Sequence, residues 1–382
     1  MMRISMVKCK PTALPLWRSN IGFYNPPRQK EKLVVILGVT GASKSRLSID
    51  IASHFPAEIV NSDKIQVHKG LDIVTNKITE EEQCGIPHHL LGTIPPDADF
   101  TASEFSNSAL LVIESIRARG NTPVIVGGSN SYIETLIASH DYRFQSKYEC
   151  CFLWVDAAMP ILHSFLSKRV DKMVERGMVE EARNAFDPNG QYSRGIRRAI
   201  GLPELDLLFR TEKFLDRQAH ARLLKEAMEE IKTNTCKLAS RQLEKIHRLR
   251  NLKGWNLHRM DATEVFCKHG KADADEAWEE LVAGPSTIIV AEFLYNVTAN
   301  MATSGGLHEG LIKCRANHGS CQLQQQIMSK FLQKQSRRVR GTAFDSFFEA
   351  NQHIYNRCKL RKRDTHNYKV HKKLVFLSES DI

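Results

Sequence analysis

The run Leu33-Val34-Val35-Ile36-Leu37, followed at once by Gly38-Val39-Thr40-Gly41-Ala42-Ser43-Lys44-Ser45, constrains this chain more than any other segment. Five consecutive aliphatic residues, three of them β-branched, suit a strand buried on both faces of a parallel sheet. Gly38 ends the run, and Leu47, Ile49, Ile51 and Ala52 then follow a helical pattern up to His54. A glycine-rich loop between a buried strand and a helix is where a phosphate cradle forms, because backbone N–H groups and the helix N-terminus converge on an anion. In that reading all eight residues from Gly38 to Ser45 line the cradle, Lys44 supplies a point charge and the Ser45 hydroxyl ligates Mg²⁺. The pattern G-x-x-x-x-G-K-[ST] breaks at one position. Ser43 stands where the second glycine belongs, a place that can demand backbone angles natural only to glycine.

Further strands and helices alternate downstream. Glu58–Asn61, Pro123–Val126 and Cys151–Val155 read as buried strands, and Thr101–Arg119 reads as a helix with Phe105, Ala109, Val112, Ile113 and Ile116 on one side. The alternation predicts an α/β fold, a parallel sheet flanked by helices on both faces. Beyond Ala157 the strand signal largely stops. Ile161–Gly177 and Phe214–Arg250 are long amphipathic helix patterns joined through the Arg-rich loop Ser193–Arg198, which predicts a mostly helical subdomain over about 158–250.

Charge divides the chain in three. Residues 1–30 hold six Lys/Arg and no acid, residues 297–382 hold fifteen Lys/Arg against six acids, and the segment between them carries a net −4 of the overall +11. A nucleic-acid binder concentrates its basic surface on the folded part; here the core is slightly acidic, which argues against tRNA as a partner. The basic, proline-broken leader over 1–31 has the composition of a transit peptide. The folded core is expected over 32–295, with a basic, poorly ordered tail over 296–382. Nine cysteines without a Cys-x-x-Cys pair argue against a disulfide scaffold or a zinc ribbon. The longest uninterrupted apolar runs are far shorter than the ~20 residues of a membrane span.

Asp63, in Asn61-Ser62-Asp63-Lys64, follows a strand C-terminus, where open α/β sheets form their ligand crevice. Read singly, it is either a helix cap or turn former, or a general base. Thr75-Asn76-Lys77 and Gly127-Gly128-Ser129-Asn130-Ser131 are equally open, and Arg197-Arg198 is either a solvated face or a phosphate clamp.

Together these segments are specific. LGVTGASKSRLSIDIA, FPAEIVNSDKIQVHKGLDIVTNK, GIPHHLLG, PVIVGGSNSYIE, RGIRRAIGLPELD and NTCKLASRQLEKI occur in order across about 32–295, and the chain closely resembles the plant adenylate isopentenyltransferases. The resemblance implies transfer of a dimethylallyl group from its diphosphate to N6 of adenine in ATP, ADP or AMP, with Mg²⁺, as the first step of cytokinin biosynthesis. It implies that the loop holds the donor's diphosphate, that Asp63 is the general base and that Thr40 assists it. Thr75, Lys77, Arg197, Arg198, Lys237 and Arg241 lie in motifs linked to substrate contacts. The rival with the same chemistry is a tRNA dimethylallyltransferase; the acidic core, Lys64 and the compact stretch from Ser139 to Tyr148, which lacks that family's insertion, speak against it. More distant alternatives are a small-molecule kinase and a nucleotide-binding relic disabled by Ser43. The expected state is a monomer without membrane association, placed in the plastid, with mitochondrion and cytosol as alternatives. Besides Ser43, the chain departs from the family at His68, where Tyr is usual, and from about Asn296 onward.

Overall fold

The structure, a computed structural model, describes residues 30–138 and 144–295. Nearly all of the leader, the tail over 296–382 and the first half of the Ser139–Tyr148 stretch lie outside the described residues. Six strands form one sheet: β1 (Glu31–Gly38), β2 (Ala57–Asn61), β3 (His88–His89), β4 (Thr122–Val126), β5 (Tyr148–Asp156) and β6 (Leu257–Asp261). Their order is β3-β2-β4-β1-β5-β6, and every pairing is parallel. Leu33 to Leu37 are fully buried in β1, as their uninterrupted apolar run requires.

Between the strands lie α1 (Lys44–His54), α2 (Ala102–Ala118), α3 (Asn130–Ala138), α4 (Phe144–Lys147), α5 (Met159–Glu175), α6 (Met178–Asn184), α7 (Asp206–Thr211) and α8 (Arg217–Asn251), and after β6 come α9 (Thr263–Cys267), α10 (Lys271–Trp278) and α11 (Gly284–Tyr295). Helix α1 packs with α11, and α2 packs with α3. Right-handed crossovers between parallel strands place α1 and α2 on opposite faces, because the chain moves outward from β1 to β2 and back from β3 to β4. Thr101 starts α2 with a reciprocal capping box to Glu104.

Two strands were not legible as strands. β3 is two histidines long, and β6 (LHRMD) buries only Leu257 and Met260. Both lie at the sheet's edges, where burial on two faces is not demanded. The Arg-rich loop contains one 3₁₀ turn over Gly195–Arg198.

A second apolar cluster sits apart from the sheet. It gathers Val170, Met173, Met178, Leu205, Leu208 and Ile231 from the helices after β5, and it also takes Leu71 and Val74 from the segment after Asp63. Helix α8 joins the two cores: Ala227 and Ile231 pack in the helical cluster, while Ala239 and Ile246 pack against the sheet. Its 35 residues span about 50 Å. The helical part is therefore wired both to the segment behind Asp63 and to the sheet core.

Candidate functional site

The strand order reverses around β1. The chain leaves β1 for β2 on one side, returns to β4 beside β1, and then crosses to β5 on the other side. Loops at the C-terminal ends of β1 and β4 diverge at such a switch point and open a crevice. The loop Gly38–Ser45, the Asp63 turn and Gly127-Gly128 all meet there. A Cβ on Gly127 would lie 2.4 Å from Ser62 Oγ, and one on Gly128 would lie 2.5 Å from Gln242 Nε2 and 3.3 Å from Asp63 Oδ2. The double glycine is what lets these loops close together.

Within the cradle, Ala42 N–H donates to Val39 O at 3.2 Å, making the turn that leads into α1. A Cβ on Gly41 would strike Leu166 Cδ2 at 2.5 Å, so the loop crest packs tightly on α5. Ser43 adopts φ 63°, ψ 29° at the N-cap of α1, and its hydroxyl caps nothing. The position does take the left-handed conformation that glycine suits, which costs a Ser on the order of 1 kcal/mol. Lys44 Nζ donates to Val39 O at 2.8 Å. Desolvation by the surrounding chain lowers its pKa to about 8, with the Asp63 carboxylate opposing the shift. Ser45 is exposed at the first turn of α1.

Sequence reasoning missed Arg169. It projects from α5 and donates from Nη2 to the Thr40 hydroxyl at 3.1 Å. Its Nε is buried without a partner, and desolvation lowers its pKa to about 10. Nothing near Arg169 in the sequence marks it, since Arg on an amphipathic helix is ordinary; only packing brings it to the loop. Gln242 of α8 was missed for the same reason and touches Thr40 as well.

Asp63 divides its carboxylate. Oδ1 accepts from Ile65 N–H at 2.9 Å and Gln66 N–H at 3.3 Å, while no hydrogen bond engages Oδ2 among the described residues. The side chain therefore forms the turn with one oxygen and keeps the other out of it. Lys64, whose N–H donates to Ser129 Oγ at 2.9 Å, has a pKa lowered by burial and by the nearby Arg198 and Lys245. Arg198 donates from Nε to Gly195 O at 3.2 Å, and its charge acts on Lys64 and Tyr132, which places it beside this cluster.

Other expected residues stand elsewhere or are occupied. Lys77 is buried, with Nζ donating to Gly70 O and to Asp72 Oδ1 at 2.8 Å. The Thr75 hydroxyl donates to Leu71 O at 2.7 Å. Both therefore shape the segment after Asp63. Arg197 is pinned by Asp97 at 3.2 Å and Asp187 at 3.6 Å. Exposed Lys237 and Arg241 line a cleft of about 520 Å³ between α5 and α8, whose lining includes neither the cradle nor Asp63. His68 is fully buried, bonded through Nδ1 to Pro95 O at 3.0 Å, and burial holds its pKa below the ordinary histidine value.

Mg²⁺ was expected at Ser45. Among the described residues no group of three or more His, Cys, Asp or Glu is placed to hold a metal. Mg²⁺ commonly retains waters and uses few protein ligands beside substrate phosphates. An exposed hydroxyl at the mouth of an anion cradle fits an ion held chiefly by a bound diphosphate.

These features define an α/β protein whose strand-to-helix loop has the form of an anion cradle, with the Asp63 carboxylate beside it. The family model described as IPP transferase matches residues 66–147 and 138–248. The chain is 54% identical over 331 residues to adenylate isopentenyltransferase 3, chloroplastic, of Arabidopsis thaliana, covering 82% of this chain and 98% of that protein. It is 50% identical over 268 residues to adenylate isopentenyltransferase 7, mitochondrial, of the same plant, covering 70% and 82%. A solved structure described as a eukaryotic dimethylallyltransferase acting on tRNA superimposes with a TM-score of 0.58 at 26% identity, covering 70% of this chain and 81% of that one. The chain belongs to the adenylate isopentenyltransferases, and it is a prenyltransferase.

Proposed function

We propose that the protein transfers a dimethylallyl group from dimethylallyl diphosphate to N6 of adenine in ATP or ADP, with AMP as a third acceptor, the first step of cytokinin biosynthesis. One observation carries the reading. Two desolvated cations, Lys44 and Arg169, flank the cradle, and among the described residues no hydrogen bond engages Asp63 Oδ2 beside it. Such a set suits a reaction in which a diphosphate departs while an amine loses a proton.

In this mechanism the donor's diphosphate lies on the α1 N-terminus within Gly38–Ser45. Lys44 swings from Val39 O to the phosphates, and the unpaired face of Arg169 meets them from α5. The Ser45 hydroxyl would help to hold Mg²⁺, which would supply positive charge to the leaving diphosphate. Asp63 Oδ2 accepts the N6 proton as the nitrogen–carbon bond forms and the carbon–oxygen bond to diphosphate breaks. Thr40, held by Arg169, orders the reacting side of the cradle. Arg198 and Lys64 offer charge to the acceptor's phosphates, whereas Arg197 and Lys77 hold the surrounding chain.

The test is an assay with Mg²⁺, dimethylallyl diphosphate and, separately, AMP, ADP, ATP and unmodified tRNA, with products read by mass. Prenylated ATP and ADP are expected. Product on tRNA alone would replace this reading with the tRNA one, and ADP formed from ATP without a prenyl donor would indicate a kinase.

The relative named chloroplastic supports a plastid-directed leader, and the one named mitochondrial keeps the mitochondrion as the alternative. Residues 1–31 fused to a fluorescent protein should direct it to plastids. Diffuse cytosolic signal would remove the targeting role.

A further inference from the structure

The ladder between β1 and β4 ends at Ile36 and Val126. Beyond it the two strands run into the loops that make the crevice, and no backbone pairing is left to fix how far apart those loops stand. Among the described residues, the Gln242 side chain spans the gap. Gln242 is 8% exposed, on the part of α8 that packs against the sheet. Its Oε1 accepts from Thr40 N–H at 2.7 Å, and its Nε2 donates to Gly128 O at 2.9 Å. The backbone carbonyl of the same residue accepts from Asn130 Nδ2 at 3.2 Å, tying α8 to the start of α3.

We infer that Gln242 is a positioning residue that sets the distance between the diphosphate cradle and the general base. The inference rests on the proposed roles of the cradle and Asp63. A primary amide carries a donor and an acceptor on one rigid plane, so it can extend the β1–β4 ladder by one more step. Gly128 stands between the amide and Asp63: a Cβ there would crowd Nε2 on one side and Asp63 Oδ2 on the other. Any shift of the amide therefore reaches the cradle through Thr40 and the base through Gly128. The Gly128 contact is buried and the Thr40 contact part-buried, so leaving either backbone group unpaired is costly. The affected quantity is alignment: misplacing reacting groups by about 1 Å costs ~10²-fold in rate even where binding survives.

Gln242→Leu keeps the volume and removes both bonds. It should lower kcat ~10–100-fold with donor KM within about threefold of the native value, and the ratio to wild type should not vary with pH. Gln242→Glu keeps the acceptor for Thr40 but cannot donate to Gly128 O while ionised. Its loss should match that of Gln242→Leu at pH 8. As pH falls through the introduced carboxyl's pKa, raised by burial, the protonated acid regains the donor and its ratio to wild type should rise. Should Gln242→Leu fail to fold, Gln242→Glu, which regains both bonds once protonated, carries the test through its own pH dependence. Both are assayed for transfer from dimethylallyl diphosphate to ATP beside wild type, with thermal melts. Native kcat in the folded variants, a change confined to KM, or a pH-independent ratio for Gln242→Glu would overturn the role. Absence of transfer by wild type itself would instead overturn the reading of the site.

Discussion

Arg169 and Thr40 are 129 residues apart in sequence, and their side chains meet at 3.1 Å inside the helix–sheet seam. An arginine so placed, with Nε buried and unpartnered, is held at a cost to the ligand-free fold. Arg169→Met should therefore raise the apo protein's stability by about 1 kcal/mol while weakening donor binding ~10–100-fold, because a charge-assisted contact to phosphate is lost. Thermal melts and diphosphate titration of the same preparation check both halves. A destabilised variant with unchanged donor affinity would make Arg169 a structural residue only.

Ser43 carries the strain that its sequence position suggests. At φ 63° without a capping bond, Ser43→Gly relieves on the order of 1 kcal/mol of backbone strain, against ~0.5 kcal/mol lost to a more flexible unfolded chain. A net stabilisation of about 0.5 kcal/mol is expected in denaturant unfolding, with donor KM lowered or unchanged. Weaker donor binding would show that the Ser43 hydroxyl contacts the substrate.

Asp50 ties α1 to α10, accepting from Trp278 Nε1 at 2.7 Å, and burial raises its pKa to about 6. A carboxyl whose folded pKa lies above its unfolded value contributes stability in full below about pH 4, and loses that contribution as pH rises through about 6. Asp50→Asn retains an acceptor for Trp278 and removes the charge. It should stabilise the protein at pH 7–8 by on the order of 1–3 kcal/mol and flatten the change between pH 4 and 6. Urea melts across that window measure this, and a slope unaltered by the substitution would refute it.

Much of the fold was legible because its signals are local. An apolar run such as Leu33–Leu37 can hardly be anything but a buried strand, and Thr101 with Glu104 announces the start of α2. Edge strands β3 and β6 carry no such run, since one side of each is left to solvent. In the candidate site, Ser43 and Asp63 were visible because loops at strand ends expose their chemistry in sequence. Arg169 and Gln242 were not, because each sits on a long amphipathic helix where its neighbours give no sign of what that turn will face. Lys77 and Arg197 illustrate the reverse: the motif drew attention to their charge, and Asp72, Asp97 and Asp187 use it.

The central claim is that Asp63 Oδ2 takes the proton from the acceptor amine while the cradle holds the departing diphosphate. The most direct measurement is the single-turnover rate of Asp63→Asn against wild type, with dimethylallyl diphosphate and ATP both saturating. Asn keeps an oxygen for Ile65 and Gln66 N–H, so the turn and donor binding should survive while transfer falls ~10²–10⁴-fold. A rate within a few-fold of wild type, with donor binding intact, would contradict the account.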